Sequence, residues 1–263
     1  MLKISDILGY TPLDIHSHFD HNAPGDRAQI IAAESQTVHR CDLPWLKAQY
    51  DHVGIGCGAF STFSSVLKCE YIAQENAYLE TVVQQNPWMR QWVVVHPMQE
   101  ETFAQAEIML KKATTLGIKI HPTYHGYDVA QYGDKLFSFA DRMGAVVLMH
   151  PDRISMMPKF ADRYPNMKLI IAHLGSEEFI DAVAGAKYGN IYTDTSGGAS
   201  NQNYVIERAV KRVGAAKILF GTDTYSAAFQ LGRIAWADIH ENEKKAILRE
   251  NALTLFPWAF DQQ

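Results

Sequence analysis

Cysteines are few in this sequence, and the signals of membrane insertion or secretion are missing. The three cysteines, Cys41, Cys57 and Cys69, are an odd number without metal-site spacing, which argues against a disulfide framework and fits a reducing compartment. No apolar run reaches the roughly 18 residues that span a membrane, and the segment Met1–Asp6 lacks the apolar core of a signal peptide. We therefore expect a cytoplasmic protein with no membrane partner.

The sequence also lacks an excess of positive charge and the common nucleotide-binding motifs. Its formal net charge is −5, which predicts no nucleic-acid partner. Neither a P-loop nor a G-x-G-x-x-G pattern occurs, so a nucleotide cofactor is not implied. Histidine, by contrast, is abundant, with 11 residues, and the positions of these histidines direct the functional prediction.

Eight short apolar runs alternate with longer amphipathic stretches along the 263 residues. Each run is hydrophobic on both faces, which is typical of parallel strands covered by helices. The predicted strands are Thr11–His18, Val53–Cys57, Gln91–His96, Gly117–His121, Ala145–His150, Lys168–His173, Asn190–Asp194 and Lys217–Phe220.

Helical periodicity fills the stretches between these strands, for example at Val205, Ala209 and Val213. Eight strand–helix repeats in about 260 residues match a (β/α)8 TIM barrel in number and size. No linker or change in composition divides the chain, so we predict an α/β protein with one domain over residues 1–263. A doubly wound open sheet is the structural alternative.

Histidines and a carboxylate stand at the ends of several predicted strands. His16 and His18 are two residues apart and should share one face of a strand, while His150, His173 and Asp223 end later strands. The carboxyl ends of barrel strands form the face where active sites lie. A single strand-end histidine is usually a hydrogen-bonded structural residue, but the whole set predicts a metal site. Nitrogen ligands with one carboxylate favour Zn²⁺, with Fe²⁺, Mn²⁺ or Co²⁺ as alternatives.

Lys119 and His121 lie on one face of the fourth predicted strand, and that face should point into the barrel. Because a buried lysine is rare unless it is paired or modified, two interpretations stay open. Lys119 is either an ammonium paired with a carboxylate or a carbamylated lysine that bridges two metal ions. Tyr124 and His125 follow the strand and are expected at the rim of the site, although a packed tyrosine fits equally well.

The chain resembles the amidohydrolase superfamily of metal-dependent barrel enzymes, in its amidohydrolase-2 branch. That branch contains hydrolases and also non-oxidative decarboxylases of the aminocarboxymuconate-semialdehyde type. The resemblance covers nearly the whole chain in order. It is carried by Asp14–His18, Gly117–Pro122, Val147–His150, Tyr164–Gly175, Asn190–Ser196, Ile218–Asp223 and Glu250–Phe256, with Asn76–Leu79 and Asn86–Pro87 before the third strand.

The resemblance implies a role for each strand-end residue. His16, His18, His150 and Asp223 are implied to hold one divalent metal ion. Our mechanistic hypothesis adds that Asp223 accepts a proton from the metal-bound water. His173 is implied to contact the substrate or the attacking water; in the two-metal alternative it binds the second ion, together with Lys119 and His121. The sequence departs from the family pattern after His150, with Pro151-Asp152-Arg153, and after Asp223, with Thr224-Tyr225.

Those departures lie where substrate would bind, so the substrate is predicted only as a class. Arg153 is a candidate clamp for a carboxylate, as are Arg27 and Arg40, with Tyr124 and His125 lining the site. We predict a metal-dependent hydrolase acting on a C–N or C–O bond of a small carboxylated or cyclic substrate. A decarboxylase using the same metal site is the alternative, and a metal-free binding barrel is a third. A homodimer is an expectation at family level only.

Overall fold

Eight parallel strands form one sheet whose spatial order follows the order of the sequence. The computed structural model describes residues 3–20 and 40–260 of the chain. The strands are β1 (Leu13–Phe19), β2 (Cys57–Thr62), β3 (Met89–Val94), β4 (Thr115–Ile120), β5 (Val146–Met149), β6 (Lys168–Ile171), β7 (Ile191–Asp194) and β8 (Ile218–Leu219).

Helices connect each strand to the next and cover the outside of the sheet. In the described residues they are α1 (Ile4–Leu8), α2 (Leu43–Val53), α3 (Phe63–Leu67), α4 (Ile72–Gln85), α5 (Glu100–Met109), α6 (Pro122–His125), α7 (Val129–Met143), α8 (Met157–Arg163), α9 (Glu177–Gly185), α10 (Val205–Val213), α11 (Ala227–Ala235), α12 (Glu241–Lys245), α13 (Asn251–Leu255) and α14 (Pro257–Phe260). None of these helices is both long and apolar enough to cross a membrane.

Backbone hydrogen bonds join the first strand to the chain that follows the last. The Ile15 N–H donates to the Phe220 carbonyl at 2.9 Å, and the Thr222 N–H donates to the His16 carbonyl at 3.0 Å. These bonds bring the two edges of the sheet together, and the helices surround the resulting barrel. The structure thus confirms the predicted single-domain (β/α)8 TIM barrel.

The C-terminal helices cover one end of the barrel. Phe256 packs edge-on against Trp92 of β3, with 5.7 Å between ring centroids, and both side chains are fully buried. The Trp258 indole N–H donates to the carbonyl of Thr115, the first residue of β4. This segment therefore closes the N-terminal end of the barrel and leaves the carboxyl ends of the strands for the site.

One predicted strand, Val53–Cys57, was misplaced and shares only Cys57 with the observed β2, whereas the other seven share two or more residues with observed strands. Val53 is the last residue of α2, and β2 begins only at Cys57. Gly54, with φ of 89°, ends the helix in the left-handed conformation. The residues of β2, Cys-Gly-Ala-Phe-Ser-Thr, are mostly small or polar. The apolar run used to predict this strand therefore ends at Cys57, where the observed strand begins.

Candidate metal centre

The two histidines of the His-x-His pair lie at and beside an irregularity in the pairing of β1. The register of β1 against β2 shifts between Asp14 and Ser17, so simple alternation of side chains does not hold there. The rings of His16 and His18 nevertheless lie together, with centroids 5.2 Å apart and planes at 81°. Both side chains are buried at the carboxyl end of the strand.

Each ring nitrogen of His16 contacts a charged side chain. Nδ1 lies 2.9 Å from Oδ2 of Asp194, at the end of β7, so Nδ1–H donates to that carboxylate. The lone pair of Nε2 then accepts from the Lys119 ammonium, whose Nζ is 2.7 Å away. Asp194 therefore fixes the tautomer of His16 and directs Nε2 into the barrel.

His18 is oriented in a similar way by β2. Its Nδ1 lies 2.9 Å from the hydroxyl oxygen of Ser61, and its Nε2 lies 3.0 Å from Oδ1 of Asp223. The backbone N–H of His18 donates to the Thr224 hydroxyl at 2.7 Å. These contacts place the Nε2 atoms of both β1 histidines beside Asp223, since His16 Nε2 is 3.6 Å from the same carboxylate oxygen.

His173 and Asp223 both adopt the left-handed backbone conformation, with φ of 65° and 55°. The Nδ1 atom of His173 lies 2.9 Å from the Ser196 hydroxyl and 4.0 Å from Oδ2 of Asp223. A Cβ atom at Gly197 would lie 2.7 Å from that Nδ1 and 3.0 Å from that Oδ2. Because such contacts are shorter than van der Waals separation, only glycine leaves room for the two side chains.

Three residues form the tightest group of possible ligands in the described part of the chain. His16, His173 and Asp223 each offer one donor atom, and these atoms lie within 4.8 Å of one another. Imidazole nitrogens and a carboxylate suit a divalent transition metal, and Asp194 and Ser196 hold the Nδ1 atoms of His16 and His173. The donor set therefore fits such an ion.

His150 and His121 lie beside this group. Their rings stack with centroids 3.9 Å apart and planes at 16°, and the His150 ring lies 5.2 Å from that of His173. His18 and His150, two of the four ligands implied by the family resemblance, fall outside the group of three with mutually close donor atoms. All four implied ligands do lie at the same end of the barrel.

Burial controls the protonation of the histidines. Burial, and then the charge of Lys119, lowers the pKa of His16 to about 3. Burial, followed by the charges of His173 and Lys119, lowers the pKa of His150 to about 2. Neutral imidazoles are the form that binds metal ions, so these rings are ready as ligands without losing a proton at neutral pH.

The charged groups of the centre are one lysine and two carboxylates. Lys119 is fully buried, and burial lowers its pKa to about 8 despite the opposing charges of Asp223 and Asp194. Burial alone would raise the pKa of Asp223, but His173, His18 and His16 outweigh it and hold that pKa well below its usual range. Burial alone would likewise raise the pKa of Asp194, but the contact with His16 outweighs burial and keeps that pKa low.

A groove of about 380 Å³ opens beside the centre, a size that suits a small ligand. His150 and His173 form its inner part, and Ile154 and Phe179 contribute apolar wall. Pro151, Gly175, Ser176, Ala199 and Gln202 complete the lining.

The three residues predicted to bind substrate, Arg153, Tyr124 and His125, differ in their exposure and in their contacts. The Arg153 guanidinium is exposed and pairs with Asp128 at 2.6 Å. Tyr124 is 43% exposed at the rim, with its ring 4.8 Å from that of His121. His125 is buried, and its Nε2–H donates to the Ser65 carbonyl at 2.9 Å. None of these three lines the groove.

Of the two arginines in the first long connection, Arg40 lies within the described residues. Arg40 forms an exposed pair with Asp42. Arg27 lies outside the described residues.

Three polar residues that position the histidines had no role in the sequence prediction. Asp194 holds His16, Ser61 holds His18, and Asp14 supports the backbone between them. Asp14 accepts hydrogen bonds from the N–H groups of His16 and Thr222 and from the hydroxyls of Tyr50 and Thr222. The strand-end carboxylate Asp194 followed the same pattern as Asp223 and could have been found; Ser61 carried no signal.

Solved structures with the same barrel include enzymes of two reaction classes. A dihydroxybenzoic acid decarboxylase from Polaromonas sp. JS666, with bound manganese, is 17% identical, covers 94% of this chain and 97% of its own, and has a TM-score of 0.72. A manganese-containing 5-carboxyvanillate decarboxylase from Novosphingobium aromaticivorans is 13% identical, with 97% and 98% covered and a TM-score of 0.74. A protein from Pseudomonas putida assigned as a 2-pyrone-4,6-dicarboxylic acid hydrolase is 17% identical, with 94% and 98% covered and a TM-score of 0.63.

These identities show a shared fold, and the metal in the two decarboxylase structures is manganese rather than the zinc favoured by the sequence. A comparison with curated protein sequences found no match. A sequence model of the family described as Amidohydrolase matches residues 13–258, which spans all eight strands. The chain therefore belongs to the amidohydrolase family, in the amidohydrolase-2 branch that its motifs resemble.

Proposed function

We propose that this chain is a metal-dependent decarboxylase of a small cyclic carboxylic acid. The observation that carries the proposal is the convergence of His16, His18 and His173 on Asp223 beside a mostly apolar groove that His173 also lines. A groove of about 380 Å³ suits a single substituted ring. The decarboxylases among the similar structures make this reaction the first candidate, ahead of the hydrolysis favoured by the sequence.

The chain's own residues divide into metal-holding and substrate-facing groups. His16, His18, His150 and Asp223 are assigned to one divalent ion, with manganese or zinc as the candidates. When bound, the ion would polarise substrate oxygen atoms and offset their negative charge. Asp194 and Ser61 keep the His16 and His18 rings turned so that Nε2 faces the centre.

His173 is assigned to the substrate rather than to the metal. Its ring borders the groove and lies beside Asp223, while Ser196 holds its Nδ1 atom. In decarboxylation the bond between the ring carbon and the carboxylate breaks, carbon dioxide leaves, and a proton is added to that carbon. We assign delivery of this proton to His173, and Ile154 and Phe179 offer the substrate ring an apolar wall.

Hydrolysis is the second candidate, and the geometry of Asp223 favours it. One carboxylate oxygen, Oδ1, contacts His18, whereas the other, Oδ2, faces His173 at 4.0 Å. That second oxygen is placed to accept a proton from an attacking water molecule. The 2-pyrone-4,6-dicarboxylic acid hydrolase assignment of one similar structure belongs to this class.

Product analysis with labelled substrates separates the two reactions. The manganese- or zinc-loaded protein would be incubated with carboxyl-¹³C 2,6-dihydroxybenzoate, 5-carboxyvanillate and 2-pyrone-4,6-dicarboxylate in deuterated water. Decarboxylation releases ¹³CO₂ and leaves one deuterium on the ring. A ring-opened acid without ¹³CO₂ would instead establish hydrolysis and overturn the proposal. Asp223→Asn should abolish either reaction while the far-UV circular dichroism spectrum is retained.

A further inference from the structure

The Lys119 ammonium lies against Nε2 of His16, the ring nitrogen that would coordinate a metal ion. The side chain lies on β4, is fully buried, and places Nζ 2.7 Å from Nε2 of His16. Because Nδ1 of His16 already donates to Asp194, Nε2 has a single lone pair to offer. That lone pair accepts a hydrogen bond from Lys119 or coordinates a metal ion, but it does not do both.

The charges around Lys119 explain why a cation is held there. The Asp194 side chain is fully buried, and that of Asp223 is only 16% exposed, so both carboxylates have little contact with solvent. Uncompensated carboxylates in such a site are strongly destabilising, so a positive charge among them is needed for the fold itself. Lys119 supplies one from within the barrel.

We propose that Lys119 and the divalent metal are alternative partners of His16 in one and the same pocket. In the metal-free protein the ammonium occupies the lone pair of His16 and balances Asp194 and Asp223; metal binding has to displace it. Lys119 thereby weakens metal affinity and keeps the ion exchangeable. This inference rests on the proposed function, since it takes His16 as a metal ligand, and it opposes the interpretation of Lys119 as a carbamylated bridge between two ions.

The test is the metal affinity of variants that remove the ammonium but keep an unbranched side chain. Dissociation constants for Mn²⁺ and Zn²⁺ would be measured by competition with a chromophoric chelator, using wild type, Lys119→Met and Lys119→Gln. The control is Lys217→Met, because Lys217 is a half-buried lysine whose ammonium donates to the Gly189 carbonyl and lies over Tyr192, at the opposite end of the barrel. We expect both Lys119 variants to bind metal about tenfold tighter or more, with the control unchanged.

A second readout uses the stability of the metal-free variants as its reference. The rise in melting temperature on adding saturating Mn²⁺ should be larger for Lys119→Gln than for wild type, because metal replaces a charge that only the variant has lost. Equal or weaker affinity in both variants would overturn the inference. If, in addition, bicarbonate strengthened metal binding by wild type but not by the variants, Lys119 would be the carbamylated ligand. If wild type and variants all bind no metal, the proposed function fails together with this inference; unchanged affinity in metal-binding variants defeats the inference alone.

Discussion

At the scale of single residues, each histidine that borders Asp223 has one ring nitrogen committed to a polar neighbour. The committed pairs are His16 with Asp194, His18 with Ser61, and His173 with Ser196. These hydrogen bonds set the tautomer and limit ring rotation, so the free nitrogens are held in place before any ligand arrives. The geometry of the centre therefore depends on residues that do not themselves face it.

Gly197 offers a direct test of that arrangement. Gly197→Ala should weaken Mn²⁺ affinity about tenfold or more, because its Cβ would push against His173 and Asp223 at 2.7 and 3.0 Å. The matched control is Gly214→Ala, which has a similar positive φ of 80° but no atom within 4 Å of the added Cβ. Chelator competition on both variants separates contact from backbone strain, and equal losses of affinity would refute the contact explanation.

Asp14 provides a prediction about pH. Burial raises its pKa to about 7, even though four hydrogen-bond donors favour the ionised form. Because the folded-state pKa lies above the unfolded value of 3.8, the stabilising contribution is fully present below about pH 4 and is lost as the pH rises to about 7. The difference in unfolding free energy between wild type and Asp14→Asn should therefore shrink from pH 4 to pH 7 in urea titrations. Parallel pH profiles for the two proteins would contradict the raised pKa.

At the scale of elements, strands with an apolar core and a histidine end were the ones that the sequence could place. β5 and β6 were predicted within two residues because valine, leucine and isoleucine runs lead directly to His150 and His173. β2 was misplaced because its small and polar residues give no apolar run, and that is also why Ser61 was missed. Contacts such as Ser61 with His18 depend on strand pairing across the barrel, which residue spacing does not reveal.

Alanine substitutions at two glycines in different elements should change the free energy of unfolding in opposite directions. In β4, a Cβ at Gly117 would lie 2.1 Å from the Val146 carbonyl oxygen of β5, so Gly117→Ala should destabilise the fold by about 2–3 kcal/mol. In α11, Gly232 has nothing within 4 Å of the added Cβ, so Gly232→Ala should stabilise by about 0.5–1 kcal/mol. Thermal and urea unfolding would measure both, and a shift of the same sign in the two variants would count against this account.

At the scale of the whole molecule, stability and chemistry occupy opposite ends of the barrel. Phe256 fills the end closed by the C-terminal helices, where it is fully buried against Trp92. Phe256→Ala should cost about 3–5 kcal/mol in unfolding free energy, whereas Trp236→Ala, at a residue 65% exposed, should change it little. Metal affinity per folded molecule should be unchanged in both variants. Loss of metal affinity in folded Phe256→Ala protein would show that the two ends are coupled.

The junction between β1 and the chain after β8, which closes the barrel, has a consequence for the order of events during synthesis. The residues on its two sides, Asp14 and Thr222, are 208 positions apart in the chain, yet they are hydrogen-bonded and flank His16 and Asp223. A ribosome-bound chain that has not yet released β8 carries His16 and His18 but has no Asp223 to set against them. For a metal-binding enzyme of the proposed kind, loading would therefore be a late event, because the nascent chain holds only part of the proposed ligand set until its last strand docks beside its first.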